Sequence, residues 1–516
     1  MDKILILDFG SQTAQLISRR VREIGVYTEI IPGNAPYSPT LLQDVKGIIF
    51  SGSPFSVYQD QAPQLDSRFL STGLPVLGIC YGLQRMTQDL GGKVERKSIR
   101  EFGRSKVSFL SENPLFKDIP QGFVSWMSHG DSLANLAPGF VLVAESENGH
   151  PAAVYHEEQQ LYGIQFHPEV THCENGTEIL RNFTVGICKA EPSWNMDRYL
   201  EIASEQIRNQ AQDRPVLLLI SGGVDSTVVG GLLLHALPSH QVHLMYIDTG
   251  MMRKGESQQV ETTLKALGAT YLYLIDASSD FLPALKGVTD PEEKRRIIGD
   301  TFIQVQEREI KARGIENSLL AQGTLYTDLI ESGKGIGSSA QVIKSHHNVR
   351  SPLVEAKRAK GEIIEPLGML YKDEVRKLGL VLGIDPLVVN RHPFPGPGLG
   401  VRILGEVTQE KCDILREADH LFIEELHNRN LYNSIWQAFC VLLPIRSVGV
   451  AGDAREYGYV LALRAIISRD GMTADVYPFE MKDLLEISSR ITNQVPQVGR
   501  VAYDVSSKPP ATIEWE

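Results

Sequence analysis

Short apolar runs alternate with amphipathic stretches through the first 190 residues, and their periods, two and about 3.6, separate strands from helices. Segments 3–8, 47–51, 75–79 and 152–155 read as strands, and 12–24 and 64–72 as helices. That alternation predicts an α/β layer sandwich. After a linker-like Glu191-Pro192-Ser193-Trp194-Asn195, the pattern predicts a helix over 196–210, then strands over 217–220, 242–247, 272–274 and 318–321 with helical stretches between them. Strand, helix, strand in this order implies a mostly parallel, doubly wound sheet that gathers ligands at the carboxyl ends of its strands. From Asn390 prolines and glycines dominate as far as Arg402, which reads as a boundary. Beyond it, 438–443 and 460–467 are apolar and read equally as buried strands or short helices. Three domains are expected, 1–190, 191–390 and 391–516, because 516 residues exceed what one core holds.

Composition narrows the function classes. A net charge of −12 disfavours nucleic-acid and anionic-membrane partners, and 42% apolar with 22% charged residues describes an ordinary globular protein. The opening residues meet Asp8 too early for a signal peptide and no 18 apolar residues run together, so a cytoplasmic location is expected. Five cysteines, at 80, 173, 188, 412 and 440, fit neither a disulfide framework nor a zinc spacing.

The first chemical motif follows the run Leu217-Leu218-Leu219-Ile220. There Ser221-Gly222-Gly223-Val224-Asp225-Ser226 turns a strand into a helix, with paired glycines that let backbone N–H groups close around an anion at the positive helix end. No Gly-Lys-Ser/Thr is present, so the usual kinase or GTPase loop is excluded. The pattern resembles the pyrophosphate loop of ATP pyrophosphatases, which cut ATP between its α and β phosphates and adenylylate a carbonyl oxygen. Asp225 is the candidate Mg²⁺ ligand, because a leaving pyrophosphate calls for a hard cation; an aspartate capping the helix start is the alternative. Asp248 falls at the end of the next strand.

The second motif is Cys80, delivered by an apolar strand into a helical stretch beginning at Tyr81, where a helix dipole favours a thiolate. Downstream, Gln165-Phe166-His167-Pro168-Glu169 ends a strand with a base and an acid, so nucleophile, base and orienting carboxylate are all present. These stretches, with Asp8-Phe9-Gly10-Ser11-Gln12 and Trp126-Met127-Ser128-His129-Gly130-Asp131, resemble a class I glutamine amidotransferase. The resemblance implies Cys80 as nucleophile, His167 as base and Glu169 as its partner. It also implies oxyanion donors at the N–H groups of Gly52 and Tyr81, and a glutamine pocket lined by Gln84 and by Ser128 to Asp131. Ser53 stands where the family usually has glycine, at a cost of about 1 kcal/mol should the position need positive φ. His129 shows no catalytic pair nearby and is assigned to binding, a hydrogen-bonded loop residue being the alternative; Cys173 and Cys188 are assigned no chemistry.

Taken in order, the amidotransferase motifs, Ser221 to Ser226, the glycine-rich stretch with Lys344-Ser345-His346-His347-Asn348, the stretch from His392 to Val401 and the closing Lys508-Pro509-Pro510-Ala511-Thr512-Ile513-Glu514-Trp515-Glu516 resemble the glutamine-hydrolysing GMP synthetase family over the whole chain. Membership implies an α/β amidotransferase domain, a doubly wound ATP pyrophosphatase domain and a smaller α+β domain for homodimerisation and XMP binding. It further implies ATP, XMP and glutamine as substrates, a phosphate contact from Lys344 in a lid, and XMP contacts from Lys508, Glu514 and Arg253. Thr327 and Arg350-Ser351 depart from the family pattern in the lid. Two prolines and a tryptophan in the final stretch suggest a docked rather than frayed end. The rivals are other pyrophosphate-loop ligases, of which asparagine synthetases normally begin on a cysteine where Asp2 stands here, and a silent nucleotide-binding regulator, which would not need Cys80, His167, Glu169 and Asp225 together.

Overall fold

A computed structural model of the chain describes residues 1–331, 352–451, 454–468 and 473–516. Lys344 and the lid motif around it lie outside the described residues. The chain divides into two units, one built on Met1–Tyr199 and the other on Leu200–Tyr326 with the chain from 352 onward.

The first unit is organised on nine strands: β1 (Lys3–Asp8), β2 (Tyr27–Pro32), β3 (Val45–Phe50), β4 (Val76–Ile79), β5 (Lys93–Phe109), β6 (Phe123–Asn135), β7 (Val141–Ser146), β8 (Pro151–His156) and β9 (Leu161–Ile164). Their order is β2-β1-β3-β4-β9-β8-β7-β5-β6. The strands from β2 to β9 run parallel, and β8, β7, β5 and β6 continue the sheet antiparallel. Ile4, Leu5, Ile6 and Leu7 are all fully buried, which is why the parallel strands read as continuous apolar runs: both faces of the sheet are covered. The helix expected over 12–24 forms as Ala14–Glu23. That expected over 64–72 is only a 3₁₀ turn, Ser67–Ser71, begun by the Asp66 carboxylate accepting from Arg68 N–H. Only Phe69 and Leu70 are buried there, too few to hold an α-helix on the core.

In the second unit β10 (Val216–Ile220), β11 (Val242–Asp248), β12 (Tyr271–Asp276), β13 (Leu319–Ala321) and β14 (Ile363–Ile364) form a parallel sheet in the order β12-β11-β10-β13-β14. The chain leaves β10 toward β11 and later returns to its other side with β13, so the topological switch lies between β10 and β13. The second sheet joins β15 (Gln437–Ala451), β16 (Ala454–Ile467), β17 (Asp475–Val476) and β18 (Val498–Tyr503). Segments 438–443 and 460–467 are thus strands, paired with Ala438 opposite Ala465. Both faces of these two segments are covered: Ala438, Cys440 and Leu442 enter the main core, while Phe439, Val441 and Ala462 pack with Ile513 on the other side.

The main core of this unit runs from Leu217 and Met245 of the first sheet through Leu399 and Ile403 to Leu461 and Val498 of the second. The proline- and glycine-rich stretch is buried within it, with Leu399 N–H bonded to the Met251 carbonyl at 2.8 Å. Gly398 is required there, because a Cβ would stand 2.4 Å from that same carbonyl oxygen and its φ is +64°. The end of the chain is docked, as expected. Arg402, fully buried, grips both Glu514 oxygens at 2.8 and 3.0 Å. Arg464, also fully buried, donates to the carbonyls of Ser506 and Thr512. Lys294 meets Glu516 at 2.5 Å, and Trp515 donates to Asp504 at 3.0 Å.

Candidate active sites

In the first unit Cys80 sits between β4 and the helix Tyr81–Asp89 with φ +53° and ψ −106°, a strained conformation for a residue with a side chain. Its N–H is held by the Ile164 carbonyl at the end of β9. The flanking glycines make the elbow possible: a Cβ on Gly78 would lie 2.6 Å from Leu83 N, and one on Gly82 2.5 Å from Phe50 O. His167, just past β9, is fixed by its N–H to the Trp126 carbonyl at 3.0 Å. Its Nδ1 donates to Glu169 Oε1 at 2.7 Å, and the glutamate is completely buried. Burial works against a charge on His167, but the negative charges of Glu169 and of the Cys80 sulfur outweigh it and hold the imidazole well above its usual range. An imidazolium–thiolate pair backed by a carboxylate is the arrangement that attacks amides.

The remaining residues expected here converge on this triad. A Cβ on Gly52 would stand 3.4 Å from the His167 ring, so its backbone borders that ring, and Ser53 beside it does not take positive φ. The Ser128 carbonyl lies 4.0 Å from Cys80 Sγ. Gln84 is buried and donates from Nε2 to the Asp131 carbonyl at 3.1 Å and to Gln165 Oε1 at 3.2 Å. His129, read from sequence as a binding residue, lies opposite Glu101 in the β5/β6 register, its Nε2 3.1 Å from Glu101 Oε2 and its Nδ1 2.9 Å from the Asp131 carbonyl. Burial would raise the Glu101 carboxyl, but contacts from His129, Ser146 and Asn148 outweigh it and hold it at about 2. Gln165 was not foreseen: it is fully buried and points Nε2 at Cys80 Sγ, 3.6 Å away.

In the second unit the loop after β10 closes on itself. Ser226 Oγ takes a hydrogen bond from Ser221 N–H at 3.2 Å, Ser221 Oγ one from Gly223 N–H at 3.2 Å, and Thr227 Oγ1 donates to the Gly223 carbonyl at 2.9 Å. Gly222 takes φ +75° and Val224 opens the helix Val224–Ala236, so the loop N–H groups and the helix start share one end of the sheet. Asp225 does not cap that helix; both of its carboxylate oxygens lie 2.5 Å from Lys372 Nζ, at the start of the helix Lys372–Val381. A Cβ on Gly323, just beyond β13, would stand 3.3 Å from the Asp225 Cβ, so Asp225 occupies the topological switch. Arg391 donates to the Gly222 carbonyl at 2.5 Å and pairs with buried Glu256, bracing the loop from behind. Asp248 accepts from Gly250 N–H and Ser257. Sequence reasoning missed Lys372 and Arg391, whose only signal was a basic residue beside a helix start or a glycine-rich loop.

Arg253 and Glu514 are brought into one cluster. The Arg253 guanidinium lies 4.4 Å from the Phe394 ring centroid and donates to the Pro393 carbonyl, which also takes a bond from Gln437 Nε2. Gln437 donates in turn to Glu514 Oε1 at 2.8 Å, beside Arg402. Lys508 pairs with Ala474 through its backbone.

Set beside known proteins, residues 5–187 match the class-I glutamine amidotransferase family and residues 424–515 the GMP synthase C-terminal domain. A GMP synthase (glutamine-hydrolyzing) of Aquifex aeolicus (strain VF5) is 50% identical over 514 residues, covering 99% of this chain and 99% of its own. Proteins of the same name from Bacillus cytotoxicus and Bacillus subtilis (strain 168) are 49% and 48% identical, each covering 100% of this chain and 99% of their own.

Proposed function

The chain belongs to the family of glutamine-hydrolysing GMP synthases, and on that premise we propose that it converts XMP, ATP and glutamine, with water, into GMP, AMP, pyrophosphate and glutamate. One observation carries the reading: a buried Cys80–His167–Glu169 set and a phosphate-type loop at a sheet switch point stand on the same chain.

The chemistry follows from the residues. The Cys80 thiolate attacks the side-chain carbonyl of glutamine, and the N–H groups of Gly52 and Tyr81 receive the oxyanion. As the C–N bond breaks, His167 gives its proton to the departing ammonia, leaving a glutamyl thioester. His167 then takes a proton from the water that hydrolyses it, with Glu169 holding Nδ1 throughout. In the second unit Ser221, Gly222, Gly223, Val224 and Ser226 cradle the β and γ phosphates of ATP, and Lys344 reaches a phosphate. The oxygen on carbon 2 of XMP attacks the α phosphorus, pyrophosphate leaves, and ammonia displaces AMP from the activated carbon. Arg253, Lys508 and Glu514 hold XMP. Asp225 would hold Mg²⁺, which supplies charge neutralisation to the leaving pyrophosphate. The fit is supported by its oxygen donors, 30% exposed and already facing a cation in Lys372.

The closing domain, 391–516, mediates a homodimer in this reading. The ribbon of β15 and β16 supports it, because Ile445, Val448, Val450 and Tyr457 are all exposed large apolar residues on one hairpin. Light scattering at twice the chain mass is expected, and a concentration-independent monomer would refute it. The five cysteines are unpaired and buried, in keeping with a cytoplasmic enzyme, and no helix among the described residues is long and apolar enough to cross a membrane.

Cys80→Ala is expected to abolish GMP formation from glutamine while preserving it from ammonium salts, and Asp225→Asn to impair both. A Cys80→Ala protein inactive with ammonium as well would overturn this division of labour.

A further inference from the structure

The amide of Gln165 cannot be turned either way at will. The Asp131 carbonyl only accepts, so the end of Gln84 facing it at 3.1 Å is its NH₂ group. The same NH₂ reaches Gln165 at 3.2 Å, and because its hydrogens are donors, the Gln165 atom there is Oε1. An amide with its oxygen on one side carries its nitrogen on the other, and that nitrogen faces Cys80 Sγ at 3.6 Å. Gln165 is fully buried and Gln84 is 4% exposed, so water does not compete for these bonds. The Gln165 backbone is tied to the sheet by its N–H to the Ala152 carbonyl at 2.9 Å. The sulfur also meets the Ser128 carbonyl at 4.0 Å, an acceptor that favours the thiol.

We propose that Gln165 is a donor to the Cys80 sulfur that favours its thiolate, with Gln84 locking the amide in the donating orientation. His167 is the charged group facing this sulfur, with Glu169 bonded to its ring; Gln165 adds a neutral donor that stays in place when His167 gives its proton away. The sulfur therefore keeps this partner while the imidazole is neutral in the thioester, and Gln165 and the re-protonated His167 both face it when Cys80 leaves as the thiolate. Gln84 acquires a second task besides lining the pocket: without its NH₂, the Gln165 amide is free to flip and present an oxygen to the thiolate.

This inference rests on Cys80 being the nucleophile, and the readout that decides it needs no glutamine. The probe is iodoacetamide, whose rate of alkylation of Cys80 is followed against pH in the full-length chain by mass spectrometry of the peptide carrying it. Gln165→Met, which keeps the shape and removes the donor, is expected to move the alkylation midpoint up by about one pH unit and to lower glutaminase kcat about tenfold at pH 7. Gln165→Glu, which turns a carboxylate toward the sulfur, is expected to move it further in the same direction. Gln84→Leu should reproduce part of the Gln165→Met shift. Cooperative thermal melting identifies any variant that fails to fold, and the remaining ones then decide. Folded Gln165→Met and Gln165→Glu proteins that alkylate with the wild-type midpoint would overturn the proposal. Failure to alkylate Cys80 in the wild type at any pH would instead overturn its assignment as nucleophile.

Discussion

His392 shows how one buried side chain ties stability to pH. Its Nδ1 accepts from Ala438 N–H at 3.2 Å and its Nε2 donates to the Tyr432 carbonyl at 3.0 Å, so the ring must be neutral to make both bonds. Burial is the main force pushing its pKa down to about 4 from 6.5, helped by the positive charge of Arg253 and opposed by the Tyr432 carbonyl. Because the folded value is depressed, the unfolded chain binds the proton first. Stability is therefore whole above pH 6.5 and is lost as pH falls from there toward 4. The loss attributable to this one ring is about 3 kcal/mol across the window. Urea midpoints measured over that range should fall steeply in the wild type and less steeply in His392→Gln, whose amide both accepts and donates without titrating. Equal slopes in the two proteins would refute the assignment.

Among elements, the closing segment is where the structure weighs two expectations against each other. Read from sequence, removing 508–516 weakens XMP binding or, if Trp515 only packs the tail, lowers stability or breaks the dimer. The structure shows that the cut would strip Arg402 of both Glu514 oxygens and Lys294 of Glu516, leaving buried cations unpaired at about 3–5 kcal/mol for each broken pair. Truncation should accordingly yield an unstable or insoluble protein, seen as a lower melting temperature. Lys508→Ala spares those ion pairs and is the cleaner probe; it should raise the KM for XMP about tenfold with little change for ATP. An unaltered XMP KM would remove Lys508 from the site. The same contrast explains what was legible beforehand. The strand-to-helix turns at Cys80 and Ser221 were visible because periodicity, glycines and chemistry coincide within a few residues. Segments 438–443 and 460–467 were ambiguous because both of their faces are buried, which erases the alternation that marks a half-exposed strand. Gln165, Lys372 and Arg391 went unseen because their partners lie 85, 147 and 169 positions away in the chain, where no local pattern points to them.

At the scale of the whole molecule, the core that begins at Leu217 and ends at Val498 is uninterrupted at position 390, whereas Trp194 closes the first unit by its N–H to Gly25 and its ring against Tyr27. The consequence is genetic. Cutting the coding sequence between Asn195 and Met196 should give two polypeptides that each fold when made alone, the second still converting XMP to GMP with ammonium salts. Cutting at 390 should give two that are soluble only when made together, because each would expose half of one interior. A fragment ending at 390 that melts cooperatively by itself would contradict this. If the expectation holds, gene fission or fusion between glutamine hydrolysis and nucleotide amination is structurally permitted, while the parts that handle ATP and XMP must always be made together.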